Sequence, residues 1–197
     1  MKIIVLKSNP NLYCGNSYFV LGSWNKLSDL NTLIDTGSDG YIINEIEHTN
    51  TGVGKVKVNN IILTHTHFDH AGGVDYVIDK YKAKLFAATK IDRLERLLVD
   101  GETLLIGDEY FEVLFTPGHS SDSICLYNKK EKVLFSGDTS LRVNSSDGSH
   151  TEEYINTMEK LAKLEIKIIY PGHGKPITEE PMKLIRNSLI NMTTINL

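Results

Sequence analysis

Three histidines and an aspartate crowd into Thr64-His65-Thr66-His67-Phe68-Asp69-His70, directly after the apolar run Ile61-Ile62-Leu63 and before Ala71-Gly72-Gly73. In an extended segment, residues two apart point the same way, so His65 and His67 can reach one cation from a strand end. A turn or first helical coil then redirects Asp69 and His70 toward a neighbouring point, where they offer oxygen and nitrogen to a second cation. Gly72 and Gly73 permit the close backbone approach that such a turn requires. Imidazole and carboxylate without thiolate suit zinc, iron or manganese. Zinc leads, because a histidine-rich set with few anionic ligands preserves the Lewis acidity of a catalytic ion and leaves a position for water.

Further donors sit past other apolar runs: His119 in Thr116-Pro117-Gly118-His119, Asp138 in Phe135-Ser136-Gly137-Asp138-Thr139, and His173 in Tyr170-Pro171-Gly172-His173. Their common placement at strand ends makes convergence on one site the natural expectation. Asp35, in Leu33-Ile34-Asp35-Thr36-Gly37, also follows such a run. By itself an aspartate there reads as a turn former. His48 and His150 fall in no such segment and read as surface or hydrogen-bonded histidines. Trp24 reads as core or hairpin packing.

Short β-branched runs predict strands at Ile3 to Leu6, Tyr18 to Leu21, Thr32 to Ile34, Ile61 to Thr64, Leu104 to Ile106, Phe111 to Phe115, Ile124 to Tyr127, Val133 to Phe135 and Ile166 to Tyr170. Helical periodicity appears at Val74 to Tyr81, Lys90 to Leu98, Glu152 to Leu164 and Pro181 to Ile190, the last opening on a first-turn proline. Hairpins followed by helices fit two packed sheets flanked by helices better than a doubly wound parallel sheet. Asn144 to His150 is the loosest stretch and reads as a surface loop near the site.

A chain of 197 residues with an ordinary apolar share fits a single domain over 1–197. Its net charge of −4 gives no bulk drive toward nucleic acid or an anionic membrane, and Lys129, Lys130 and Lys132 read as a solvated turn. The N-terminal apolar run is too short for a signal-peptide core or a membrane span. The two cysteines, Cys14 and Cys125, form no Cys-x-x-Cys pair and read as buried reduced thiols. A cytoplasmic protein with no membrane partner is expected.

The Asp35 segment, the His65 to His70 run, His119, Asp138 and His173, taken together and in order, resemble the metallo-β-lactamase superfamily across nearly the whole chain. The resemblance implies an α/β fold, the αββα four-layer sandwich, with two metals in a shallow groove at one edge of the sheets. It implies that His65, His67 and His119 bind one metal and Asp69, His70 and His173 the other, with Asp138 between them. Asp35 is then a residue beneath the metal-binding loop that orients it through hydrogen bonds.

Two cations held about 3.5–4 Å apart lower the pKa of a shared water to roughly 7, which supplies a nucleophile at neutral pH. The expected activity is a dizinc hydrolase that turns a metal-bridging hydroxide on a small ester or thioester, with Asp69 orienting the hydroxide and passing a proton to the leaving atom. An aspartate at position 138 resembles hydroxyacylglutathione hydrolases (the glyoxalase II type), lactonases and nuclease branches of the family more than true β-lactamases. Glutathione-linked relatives follow that segment with Gly-Cys-Gly-Arg and add a helical domain. Here Thr139-Ser140-Leu141-Arg142 follows it, and little chain lies beyond His173. Lactonases place a tyrosine where this chain has Leu141. The runner-up is a metal-dependent endoribonuclease or phosphodiesterase of the same fold, the one reading in which nucleic acid is a partner. A lactonase, a mononuclear-iron persulfide dioxygenase and a non-catalytic metal-stabilised module rank lower.

Overall fold

A computed structural model describes residues 1–23, 28–144 and 150–193. The elements in chain order are β1 (Lys2–Leu6), β2 (Ser17–Leu21), β3 (Thr32–Ile34), α1 (Ile42–His48), β4 (Asn60–Ile62), α2 (Phe68–Ala71), α3 (Val74–Tyr81), β5 (Lys84–Ala87), β6 (Leu94–Leu97), β7 (Thr103–Ile106), β8 (Glu109–Phe115), β9 (Ile124–Asn128), β10 (Val133–Gly137), α4 (Glu152–Ala162), β11 (Ile168–Pro171) and α5 (Pro181–Thr193). One sheet has the order β1-β2-β3-β4-β5-β6 and the other β11-β10-β9-β8-β7.

Strand alternation builds the layers. In β2, Tyr18 and Val20 turn toward the second sheet and join Ile34, Ile62, Phe111, Val113, Leu126 and Phe135 in the central core. Phe19 and Leu21 face the other way and pack with Ile42 and Ile46 of α1 and Val77 and Ile78 of α3. On the far side of the second sheet, Cys125, Leu134 and Ile169 meet Met158 and Leu161 of α4 and Ile185 and Met192 of α5. Strands β2, β9 and β10 are buried along their whole length because each has a layer on both faces. This is the expected αββα sandwich.

Strand direction explains why the chemistry gathers at one edge. β3, β4 and β5 are parallel neighbours, so β3 and β4 end on the same side. In the second sheet β8 and β10 are both antiparallel to β9, and β11 is parallel to β10, so β8, β10 and β11 also end together. Asp35, the His65 to His70 run, His119, Asp138 and His173 each follow the end of one of these strands.

One expectation changes. Lys90 to Leu98 is not a helix: β6 occupies Leu94–Leu97 and pairs in parallel with β5 at the sheet edge. Its apolar residues serve different layers, Ile91 and Leu94 packing under the helices and Leu98 in the central core, which one helical face cannot do. Arg93 also takes a positive φ of 63°, incompatible with continuing a helix. Helix α1 and strand β5 were not visible in the sequence pattern, being short and flanked by polar loops. Trp24, and the 145–149 part of the loop running to His150, lie outside the described residues.

Cys14 is half-buried, Cys125 is buried, and both are free thiols. Lys130 pairs with Glu109 and Lys132 with Glu165, so two of the three lysines of this turn are paired locally. Among the described residues no helix is long and apolar enough to cross a membrane.

Candidate metal centre

Asp35 closes β3 in a left-handed conformation, φ 57°, which an aspartate tolerates better than most residues. That bend turns its carboxylate back under the histidine run. Oδ1 accepts from the Thr64 backbone N–H at 2.7 Å, and Oδ2 accepts from the Thr64 hydroxyl at 2.7 Å. Oδ2 also lies 2.8 Å from His70 Nδ1 and takes its N–H. The opposite ring nitrogen, Nε2, is thereby turned toward the cleft. The loop is tied down further by Thr36, whose backbone N–H and hydroxyl both donate to the His70 carbonyl, at 2.7 and 2.9 Å.

All the expected donors come together. The ligand atoms of His65, His67 and His119 lie within 4.8 Å of one another, as do those of Asp69, His70, Asp138 and His173. Asp138 stands between the groups: its Oδ2 is 3.5 Å from His119 Nε2 and 3.3 Å from His173 Nε2, and its Oδ1 is 3.2 Å from His70 Nε2. Asp69 Oδ2 lies 3.1 Å from His173 Nε2 and 3.5 Å from His70 Nε2. His67 turns Nδ1, not Nε2, toward the cluster, at 2.9 Å from His119 Nε2.

The electrostatics suit a cation. Burial, reinforced by the neighbouring His70 charge, pushes His65 down to about 4, so it is a neutral lone-pair donor at pH 7. Burial also opposes the charged form of His70, yet the carboxylates of Asp35 and Asp138 outweigh it and raise that histidine to about 10. For Asp138, burial works against ionisation, but its close approach to His70 and the charge there, with His173 and His65, bring it down to about 2. The pocket therefore attracts positive charge.

Buried polar atoms without a hydrogen-bond partner are costly, on the order of 1–3 kcal/mol each. His65 Nε2, His70 Nε2 and Asp138 Oδ1 are such atoms, and all belong to this cluster. Divalent cations would satisfy them together, so the residues present fit a two-metal group.

The sequence did not reveal what braces the ligand loops. Asp122 links two of them, accepting from the Thr66 hydroxyl at 2.8 Å and from the Ser120 hydroxyl at 2.7 Å. Burial resists its ionisation, but these hydrogen bonds prevail and lower its pKa. In the sequence it is one polar residue in Ser120-Ser121-Asp122-Ser123, indistinguishable from an ordinary turn. Asn16 is a second brace: its side-chain amide donates to the carbonyls of Pro171 at 2.9 Å and Gly174 at 2.8 Å, on either side of His173. Backbone proximity matters too, since a Cβ on Gly172 would overlap Asp138 Oδ1 and one on Gly15 would overlap the His70 ring. His48 bonds the Asn44 carbonyl through Nδ1 at 2.7 Å, within its own helix.

A sequence model of the metallo-beta-lactamase superfamily matches residues 14–173. Among curated proteins, an atrochrysone carboxyl ACP thioesterase of Aspergillus fumigatus is 29% identical over 187 residues, covering 91% of this chain and 58% of that protein. The chain spans little more than half the length of the curated relatives it matches. Among solved structures, the BLEG-1 B3 metallo-beta-lactamase superposes with a TM-score of 0.70 at 24% identity, over 94% of this chain and 97% of that one. An archaeal metallo-beta-lactamase superfamily protein from Sulfolobus tokodaii does so with a TM-score of 0.65 at 18% identity, over 99% and 89%.

Proposed function

This chain belongs to the metallo-β-lactamase superfamily, and from that premise we propose that it is a dizinc hydrolase of a small acyl thioester or ester. The observation that supports this best is the pair of adjacent donor groups, His65, His67 and His119 beside Asp69, His70 and His173, with Asp138 reaching both. In this reading the first three residues hold one cation, the second three hold the other, and Asp138 is shared. Two bound divalent ions supply Lewis acidity for the scissile carbonyl and a water acidic enough to act as nucleophile at neutral pH.

The chain's own groups do the rest. Asp35 fixes the His70 ring and Asp122 fixes the loops of His67 and His119 relative to each other, so the donors are preorganised. Asp69 is partly exposed at the cleft, with Oδ2 turned to His70 and His173. Its carboxylate is the group we assign to orient the attacking water and deliver a proton to the departing sulfur or oxygen.

The thioester bond in the named activity of the Aspergillus fumigatus relative supports an acyl substrate, as does the net charge of −4, which offers no general attraction to a polyanion. Leu141, at the position where lactonases place a tyrosine, is buried against the α4 and α5 side of the sandwich and offers no hydroxyl there, which weighs against the lactonase reading. The free cysteines fit a reducing compartment, and a cytoplasmic location belongs to the proposal.

The test is a comparison of kcat/KM for acyl thioesters, simple esters, lactones, a bis-phenyl phosphate and a short single-stranded RNA at two salt concentrations. Thioester or ester turnover that changes little with salt is expected. RNA cleaved far better than every acyl compound, and falling steeply with salt, would replace this reading with that of an endoribonuclease.

A further inference from the structure

Tyr13 occupies an uneconomical position by the usual rules of packing. It is 76% exposed, so burial contributes little to holding it in place. It is nevertheless located on both sides. Its carbonyl accepts from the Ser38 hydroxyl at 2.5 Å, and two residues on, the Gly15 N–H donates to the carbonyl of Asp69 at 2.9 Å. Its ring stacks on the imidazole of His173, with centroids 5.0 Å apart and planes 25° from parallel. Its hydroxyl lies 3.3 Å from His173 Nε2.

That nitrogen also faces Asp69 Oδ2 and Asp138 Oδ2, at 3.1 and 3.3 Å. An imidazole nitrogen has one lone pair, and one that holds a cation has none left to accept a hydrogen bond. With His173 serving as a ligand, the phenolic O–H is a donor at the mouth of the cleft whose acceptor must come from elsewhere.

We propose that Tyr13 is a substrate-contacting residue: its hydroxyl donates a hydrogen bond to the carbonyl oxygen of the acyl substrate and strengthens that bond as the oxygen becomes negative. This rests on the acyl-hydrolase reading for the identity of the acceptor. A donor aimed at a developing oxyanion acts in the transition state more than in the ground state, so the effect belongs in kcat more than in KM.

The experiment compares wild type with Tyr13→Phe and Tyr13→Ala, each loaded with zinc and checked for metal content. Two quantities are measured: kcat and KM for the best ester of the substrate comparison, and the calorimetric dissociation constant of a non-reactive alkyl methylphosphonate, whose anionic oxygens imitate the tetrahedral oxyanion. Tyr13→Phe is expected to keep its metal, lower kcat on the order of 100-fold with little change in KM, and weaken phosphonate binding by a comparable factor. Tyr13→Ala is expected to match it in kcat. Phosphonate binding by wild type no tighter than by Tyr13→Phe overturns the proposal, and so does loss of metal from Tyr13→Phe, which would make the residue a prop for His173. If wild type hydrolyses no acyl compound, the proposed function fails separately, while the phosphonate comparison still decides whether Tyr13 donates into the cleft.

Discussion

In the proposed reading two aspartates near the same histidines have different work, and single substitutions should separate them. Asp69→Asn keeps the size of the side chain and an oxygen that can face a cation, but loses the carboxylate's ability to take and give a proton. It is expected to retain the fold and most of the metal while lowering kcat by about 100-fold or more. Asp35→Ala removes the acceptor that holds His70 Nδ1 and the Thr64 backbone. It is expected to weaken metal affinity by about 10–100-fold, with activity partly restored by excess zinc. Titrations of activity against free zinc for both variants check this division; equal losses that zinc restores in neither would contradict it. Asp122→Ala should behave as Asp35→Ala does, because its contacts to Thr66 and Ser120 orient ligand loops without reaching the cleft. The candidate donors that converge in the cleft were legible in the sequence, since histidine and aspartate at strand ends have few other reasons to cluster. Asp122, Asn16 and Tyr13 were not, because bracing and lining residues are defined by what the fold places opposite them.

At the scale of elements, the site depends on strands ending together and on glycines that let their loops touch. Gly172 donates its N–H to the Gly137 carbonyl at 2.7 Å, which joins the loops of Asp138 and His173. Gly172→Ala would drive a methyl group into Asp138 Oδ1. The expected outcome is a folded protein with metal binding severely impaired, seen as normal far-ultraviolet dichroism with little bound zinc. Helix α4 acts at a distance: Thr157 donates to the Pro117 carbonyl at 3.1 Å and Lys160 to that of Phe115 at 3.1 Å, steadying the turn that presents His119. Leu161→Ala, at a fully buried position on the same helix, should cost about 2–5 kcal/mol in urea denaturation while leaving kcat per metal-loaded chain near wild type. Long amphipathic segments such as α4 and apolar, aromatic-rich ones such as β8 were readable from the chain alone. β6 was not, because Ile91, Leu94 and Leu98 recur at a helical spacing although they pack on opposite faces of a sheet.

For the molecule as a whole, metal and folding are linked through protons. With chelator present, His65 is a buried histidine whose pKa lies below its ordinary 6.5, at about 4, so unfolding is favoured as pH falls from 6.5 toward 4. His70 lies above its ordinary 6.5, at about 10, so its contribution is complete below 6.5 and is lost as pH rises toward 10. The chelated protein is therefore expected to have its highest Tm near pH 6.5. Cation binding needs neutral imidazoles, so the loaded protein should gain relative to the chelated one as pH rises. Asp138, held down at about 2, stays ionised throughout this range in the chelated protein. Thermal scans of both forms from pH 5 to 9 check the crossing slopes.

The central claim is that two ions bound by one chain hydrolyse an acyl bond. The most direct measurement strips the protein with chelator, then follows acyl thioester hydrolysis and bound metal together as zinc is returned. The account predicts negligible activity in the stripped protein and recovery that saturates close to two zinc ions per chain. Purified protein without bound metal, and a stripped protein that neither takes up zinc nor regains activity, would contradict it. A single iron per chain with sulfite formed from a persulfide would contradict it as well, replacing the hydrolase with a dioxygenase.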